Sequence, residues 1–240
     1  LGERSTPAGT APVMSNFASW NSFIADPATL YGVRDLSSLS PHWWYKLDGS
    51  EGLGIISSSG SATTPLMAYP KEPELFTKDS TQELWLSGRG GALLLPYTQQ
   101  FDRFFNTSLS GNVTSSWTLY TRCYIQYQGN RKGDATLIDF GPLAKLWFLK
   151  TATAGELMFE YNGKQLESTW AETSATYLDI WIGVNRVTGK MFIKVNDDGT
   201  VTDDESTGGL PDVPDLSLGR TIACHLGGRE DLGIVAEGET

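Results

Sequence analysis

Hydrophobic and polar positions alternate along much of this chain, with the period of a β-strand that has one face toward a core. In residues 117–127, one face carries Trp117, Leu119, Cys123, Ile125 and Tyr127, and the other carries Tyr120, Arg122, Tyr124 and Gln126. Residues 177–185 repeat the pattern, with Leu178, Ile180, Ile182 and Val184 inward and Tyr177, Asp179 and Trp181 outward. Both segments predict long strands of a half-buried antiparallel sheet.

Turn residues separate further short strands. Residues 134–140 and 145–150 flank Gly141-Pro142, while residues 157–161 and 164–169 flank Asn162-Gly163. An Asn-Gly pair between two strand patterns is the strongest short hairpin motif, because both positions take positive φ readily. A further strand over 190–196 ends at Asp198-Gly199. Many short strands with hairpin turns predict an all-β sandwich or barrel.

The first 40 residues have a different pattern. Residues 1–13 are rich in Gly, Pro and Thr and predict an extended arm. Phe17, Trp20 and Ile24 have near-helical spacing, which predicts a short helix over 15–24. Asp26-Pro27 favours a second helical start that ends by Gly32. The aromatic residues of such an arm must pack on its own domain or on a neighbouring subunit.

The order of the strand patterns resembles that of laminin-G-like domains of the concanavalin A-like superfamily. The resemblance spans roughly residues 41–236 and rests on segments 42–48, 84–96, 117–127, 134–141, 180–198 and 216–219. It implies a two-sheet antiparallel jelly-roll sandwich over residues 41–240, preceded by an arm with short helical turns over 1–40. The family closes with a strand beside the first one, and only residues 232–236 match it here. We therefore expect that the chain stops short or that a partner completes the sheet.

Charge narrows the range of partners. The formal net charge is −10, with 18 basic against 28 acidic residues and no basic stripe. Nucleic-acid binding depends on Lys and Arg that replace counterions on phosphates, so we predict no nucleic-acid partner and no membrane partner.

No apolar run reaches membrane-spanning length, and no signal peptide is visible. The alternation predicts a buried thiol at Cys123, and a single bridge to Cys224 remains an alternative.

Candidate catalytic chemistry is sparse. Glycosidases of the concanavalin A-like superfamily, which this chain resembles, place paired carboxylates on one strand. No strand pattern here contains that motif. His42 and His225 are the only histidines, and each is predicted to be structural. We predict no enzyme activity and no cofactor. The resemblance leaves Ca²⁺ at a sheet edge as an alternative, with oxygens from Asp197, Asp198, Asp203 and Asp204, although no loop spacing here resembles an EF-hand.

The outward face of the two long strands is the candidate ligand site. Aromatic rings stack on the apolar faces of pyranoses, and charged side chains orient the hydroxyl groups. The site residues predicted on this basis are Tyr120, Arg122, Tyr124, Asp179 and Trp181, with Trp181 the strongest candidate. The alternative is that these rings lie under the arm or the loops, or form a subunit contact.

Two function classes follow. Laminin-G-like domains occur in bacteriophage minor tail and decoration proteins, and this resemblance implies a non-enzymatic virion surface or tail protein with host-glycan adhesion. Its partners would be other virion subunits, bound through the N-terminal arm, and cell-surface polysaccharide. We expect a homo-oligomer in a virion or extracellular setting. The alternative is a secreted bacterial carbohydrate-binding, lectin-like module.

Overall fold

The structure is a computed structural model of the 240-residue chain. It describes residues 13–22, 24, 35–70, 74–78, 81–85, 91–96, 116–125, 135–141, 143–150, 155–172, 176–186, 188–196, 202–203 and 224–226.

Within these ranges the chain forms sixteen β-strands and one short 3-10 helix, Ser37–Leu39. The strands are β1 Val13–Trp20, β2 Trp43–Lys46, β3 Ile55–Ile56, β4 Leu66–Pro70, β5 Glu74–Lys78, β6 Thr81–Trp85, β7 Gly91–Leu95, β8 Trp117–Ile125, β9 Ala135–Asp139, β10 Lys145–Lys150, β11 Gly155–Tyr161, β12 Lys164–Glu172, β13 Thr176–Asn185, β14 Lys190–Val195, β15 Thr202–Asp203 and β16 Cys224–Leu226.

The strands form two eight-stranded antiparallel sheets. Sheet A has the order β15-β14-β13-β8-β1-β6-β5, and β2 also pairs with β1. Sheet B has the order β12-β11-β10-β9-β16-β7-β4-β3. Strands distant in sequence lie side by side in both sheets, for example β8 between β1 and β13. The predicted all-β class is therefore confirmed at this level.

A single apolar core joins the two sheets, as in a sandwich. Its members come from both inner faces and include Phe17 and Trp117 of sheet A and Phe140 and Phe159 of sheet B. The ring centroids of Trp117 and Phe159 are 6.2 Å apart, and those of Phe17 and Phe140 are 6.0 Å apart, both edge-to-face. Cys123 is also fully buried in this core, as the alternation of its strand predicts.

Local sequence patterns account for the regular strands. In β13, Leu178, Ile180, Ile182 and Val184 all lie in the core between the sheets, as predicted. The β11–β12 hairpin turns at Asn162 and Gly163, which have φ of 46° and 83°. Two consecutive positive φ angles are the requirement of a type I′ turn, and Asn-Gly meets it with little strain. The predicted hairpin is therefore confirmed.

The N-terminal segment differs from the prediction. Residues 15–20, predicted as part of a helix, belong to strand β1, which pairs with β8 from Val13↔Tyr124 to Trp20↔Thr118. Its register shifts between Met14 and Asn16, which obscures the alternation in the sequence. Pairing with the strands on both sides overrides the weak helical spacing. The second predicted helical turn, at 26–32, lies outside the described residues.

Candidate functional site

Strands β8 and β13 bring the five predicted site residues together. Their antiparallel register sets Tyr120 opposite Trp181, Arg122 opposite Asp179, and Tyr124 opposite Tyr177. Directly opposite side chains on one sheet face are close enough to interact. The prediction that these residues share the outward face of sheet A is correct.

The two central rings are stacked on each other. The centroids of Tyr120 and Trp181 are 4.2 Å apart with an interplanar angle of 29°, and Trp20 packs on Trp181 at 5.7 Å. Offset stacking of this kind adds to the stabilisation from area burial alone. The three rings form the centre of a second apolar cluster, which also contains Ala18, Leu36, Trp44 and Phe192.

This second cluster is covered by the N-terminal part of the chain. Ile24 and Leu39 pack against it. The indole Nε1 of Trp20 donates a hydrogen bond to the main-chain oxygen of Leu39 at 2.9 Å. The main-chain nitrogen of Ile24 donates to Oγ1 of Thr118 at 3.0 Å. These contacts fix Ile24 and Leu39 against the outward face of sheet A.

The expectation of an exposed aromatic strip is therefore wrong for its two central rings. Tyr120 is 0% exposed and Trp181 is 1% exposed. Phe17 and Trp20, which the sequence assigned to an arm, are also buried against their own chain. Burial of the Trp20, Tyr120 and Trp181 side chains in one cluster stabilises the fold by several kcal/mol, since each contributes about 2–3 kcal/mol. A sugar has no access to Trp181 unless this cover moves.

Beside the rings lies a buried charged cluster. Oδ2 of Asp179 accepts a hydrogen bond from Nη1 of Arg122 at 2.6 Å, and Oδ1 accepts one from the Tyr120 hydroxyl at 2.5 Å. Asn196 Oδ1 accepts a hydrogen bond from the main-chain nitrogen of Asp179 at 3.0 Å. Burial, followed by the adjacent Asp179 carboxylate, raises the pKa of the Tyr120 phenol far above its ordinary value. The cluster thus holds Tyr120 as a neutral hydrogen-bond donor.

The face becomes more open toward Tyr177. This side chain is partly exposed, and Tyr124 beside it is 8% exposed. The two ring centroids are 5.2 Å apart, and the Arg122 guanidinium lies 4.9 Å from the Tyr177 centroid. Among the five predicted residues, Arg122 and Tyr124 therefore retain some contact with solvent.

His42 is the histidine whose side chain the structure describes, and it packs against neighbouring side chains. The His42 ring stacks edge-to-face on Trp43 at 4.8 Å, and its Nδ1 lies 3.5 Å from the side-chain nitrogen of Asn21. His225 lies in β16, where only its main chain is described. Asp197, Asp198 and Asp204 lie outside the described residues. In the part of the chain that is described, no group of three or more His, Cys, Asp or Glu side chains has the arrangement of a metal site.

A shallow depression of about 390 Å³ lies at the margin of the second cluster. Its lining includes Asp35, Ser37, Trp44 and Lys46. The Lys46 ammonium lies 4.7 Å from the Trp44 ring centroid. Hydrogen bonds from Ser37 to the carboxylate lower the pKa of Asp35. The depression therefore presents one carboxylate and one ammonium next to an aromatic ring that is only 5% exposed.

A second polar-aromatic surface, on the outward side of sheet B, was not identified from the sequence. Trp147 lies opposite Met158, and Met158 lies opposite Glu167. Lys145 and Glu160 form the neighbouring cross-strand pair. The alternation in residues 145–150 and 155–161 is the sequence feature that indicates this surface. It places Lys145, Trp147, Met158 and Glu160 on the side of the sheet away from the core residues of the same strands. Glu156 and Glu167 belong to different strands, so no single strand pattern contains both carboxylates.

Comparisons of the chain with models of known protein families, with curated proteins and with solved structures find no match. In the described ranges, no helix has both the length and the apolar character needed to cross a bilayer.

Proposed function

We propose that this chain is a non-enzymatic structural protein of a virion surface or tail, with host-glycan adhesion as a second role. In this proposal its sandwich is a concanavalin A-like jelly roll of the laminin-G-like type. The sequence resemblance supports the family, and the two antiparallel sheets around one core are compatible with it.

The observation that carries the structural role is the double burial of sheet A. Leu119 and Ile180 pack into the core between the sheets, while Tyr120 and Trp181 of the same strands pack into the second cluster. A sheet with apolar packing on both faces resists bending and local opening, because each strand is held from two sides. The Arg122 and Asp179 charges neutralise each other within this packing. Such a sheet suits a load-bearing scaffold.

Association of subunits requires an exposed contact surface, and a pair of exposed apolar side chains on sheet B is a candidate for it. Ile55 and Met67 are 62% and 45% exposed and lie directly opposite each other on β3 and β4. Leu94 lies next to Met67 on β7 and is partly exposed. A contiguous apolar surface of this kind favours protein contact over contact with water. We assign the homo-oligomer contact to this edge of sheet B.

Light scattering after size-exclusion chromatography tests the structural role. We expect the purified chain to form an oligomer whose population rises with concentration, and the Ile55→Glu/Met67→Glu variant to be monomeric because each Glu places an unpaired charge in the contact. The matched control is Ser61→Glu/Thr188→Glu, which adds the same charge at two other exposed positions. A wild-type chain that stays monomeric at its solubility limit, or an oligomer that survives the Ile55/Met67 change, would overturn this assignment.

A secreted carbohydrate-binding module is the second candidate. The outward face of sheet B around Trp147 supports it, because an accessible aromatic ring beside carboxylates suits sugar binding. The two candidates differ in one measurable property. The virion subunit is expected to associate with its copies, whereas a binding module needs no such contact to bind a sugar.

A further inference from the structure

The outward face of sheet B presents an aromatic ring within a set of charged side chains. In β10, Leu146 and Phe148 are buried in the core, so Lys145 and Trp147 point to the other side of the sheet. In β11, Leu157 and Phe159 are buried, so Glu156, Met158 and Glu160 share the face of Trp147. Trp147, Lys145, Glu156 and Glu160 are partly exposed, and Glu167 is exposed. We call the surface formed by Asp139, Lys145, Trp147, Glu156, Met158, Glu160 and Glu167 the Trp147 face.

Cross-strand pairing sets the spacing on this face. Trp147, Met158 and Glu167 form one row across β10, β11 and β12. Asp139, Lys145 and Glu160 form the next row. Neighbouring strands are about 4.8 Å apart, which is close to the length of one pyranose unit. A linear polysaccharide that crosses the strands therefore meets a new side chain at each sugar.

The charge of the Trp147 face is strongly negative. Asp139, Glu156, Glu160 and Glu167 supply four carboxylates and Lys145 supplies one ammonium, so the formal charge of these five side chains is −3. Nε2 of Gln165 donates a hydrogen bond to Oε2 of Glu160 at 2.7 Å, which orients that carboxylate. This charge attracts cations and repels anionic glycans.

Glu156 and Glu167 are diagonal neighbours on this face, because Glu167 lies opposite Met158 and Glu156 precedes Met158 by two residues on the same side of β11. Desolvation, the adjacent Glu167 carboxylate and a hydrogen bond shared with Glu167 all raise the pKa of Glu156. Like charges at neighbouring positions repel each other, and a cation placed between them relieves the repulsion. The pair therefore has more to gain from a cationic ligand than two isolated carboxylates.

The Trp147 ring already attracts an ammonium group. The Nζ of Lys145 lies 5.5 Å from the Trp147 ring centroid, within the range of a cation–π contact. An incoming cation competes with Lys145 for this ring.

We propose that the Trp147 face binds a polysaccharide that carries free amino groups. The apolar side of one pyranose stacks on Trp147, and protonated amines of the stacked and neighbouring sugars pair with the Glu156–Glu167 carboxyls. Neutral sugars gain only the stacking, and anionic sugars are repelled. The inference rests on the adhesive part of the proposed function, and it names the ligand class and moves the site from sheet A to sheet B.

Calorimetric titration with a defined glucosamine oligomer tests the proposal. The comparison ligands are the N-acetylated oligomer of equal length and an oligolysine of equal charge, all at a mildly acidic pH at which the sugar amines are protonated. We expect the glucosamine oligomer to bind about tenfold or more tightly than the acetylated one, since two charge pairs are lost on acetylation. We also expect binding to weaken as salt is added.

Variants on the face separate stacking from charge. Trp147→Ala is expected to weaken binding by about tenfold, with partial recovery in Trp147→Phe. Glu156→Gln/Glu167→Gln is expected to weaken it to a similar extent while the fold is retained. Lys145→Gln is expected to strengthen it severalfold, because it removes a competing cation. Asp35→Asn, an exposed acid on the other sheet's side, is the matched control and should bind as the wild type does.

Three results would overturn the proposal. They are equal binding of the acetylated oligomer, equal binding of oligolysine, and a Lys145→Gln variant with no gain in affinity. Binding of other glycans that is unaffected by Trp147→Ala would refute the site and leave the adhesive function intact. Absence of binding to any glycan on a broad array would refute the adhesion as well, while the oligomer measurement still tests the structural role.

Discussion

The buried charged cluster of sheet A makes the sharpest stability prediction. Asp179 is 1% exposed and accepts hydrogen bonds from Arg122 and from the Tyr120 hydroxyl. The change Asp179→Ala removes the partner of a guanidinium whose side chain is only 13% exposed. Loss of one member of a buried ion pair costs about 3–5 kcal/mol, and the remaining exposure of Arg122 places the expected value near the lower end, about 3 kcal/mol.

Single and double changes then separate the contributions. Tyr120→Phe removes one hydrogen bond to a charged acceptor and should cost about 2 kcal/mol. Tyr120→Phe and Asp179→Ala each remove the hydrogen bond between the Tyr120 hydroxyl and Asp179. The destabilisation of the double variant should therefore be smaller than the sum of the two single effects by about 1 kcal/mol or more. Arg122→Met combined with Asp179→Ala should be more stable than Asp179→Ala alone, since it leaves no uncompensated guanidinium.

Urea unfolding followed by tryptophan fluorescence measures these free energies. The chain has eight tryptophans, and Trp181 is stacked on Tyr120 beside the cluster. Thr188→Ala, at an exposed turn position, is the control and should stay within about 0.5 kcal/mol of the wild type. The reasoning is refuted if Asp179→Ala is also within that margin, or if adding Arg122→Met restores no stability.

Three further predictions concern the same sheet. Trp181→Ala should lower the free energy of unfolding by about 3–5 kcal/mol, because it leaves a cavity under the N-terminal cover, and a thermal shift within error would contradict the burial. Gly183→Ala should cost about 1–3 kcal/mol in the same assay, since a β-carbon there overlaps the Phe192 ring. Burial, first of all, raises the pKa of Tyr45 and Tyr120 far above the ordinary value, so both phenols stay neutral in the folded protein while the unfolded chain ionises near 10. Their contribution to stability is complete below about pH 10 and is lost as the pH rises further, and an ultraviolet titration in which all nine tyrosines ionise together before unfolding would contradict this.

Local patterns were sufficient to predict individual strands and their faces. The alternation around Trp117 and Ile180 determines which side chains enter the core, because successive residues of a strand point to opposite sides. The turn at Asn162-Gly163 depends on two adjacent residues that tolerate positive φ. Such features involve neighbours in sequence and require no knowledge of distant segments.

The N-terminal strand shows where local patterns fail. Phe17 faces the core between the sheets, whereas Ala18 and Trp20 face the second cluster, so apolar residues occur on both sides of β1. A strand that is buried on both faces has no simple alternation, and a register shift near Met14 disturbs it further. The pairing of β1 with β8 joins residues about one hundred positions apart, which no short window contains.

The amino-acid sequence by itself determined the all-β class, the long strands and the shared face of Tyr120, Arg122, Tyr124, Asp179 and Trp181. Only the tertiary structure decided that the N-terminal segment covers Trp181 and that the outward face of sheet B leaves Trp147 accessible. The physical reason is that side-chain direction follows from the backbone of one strand, while burial depends on which distant segment lies over that strand. That choice is made by the free energy of the whole packed chain.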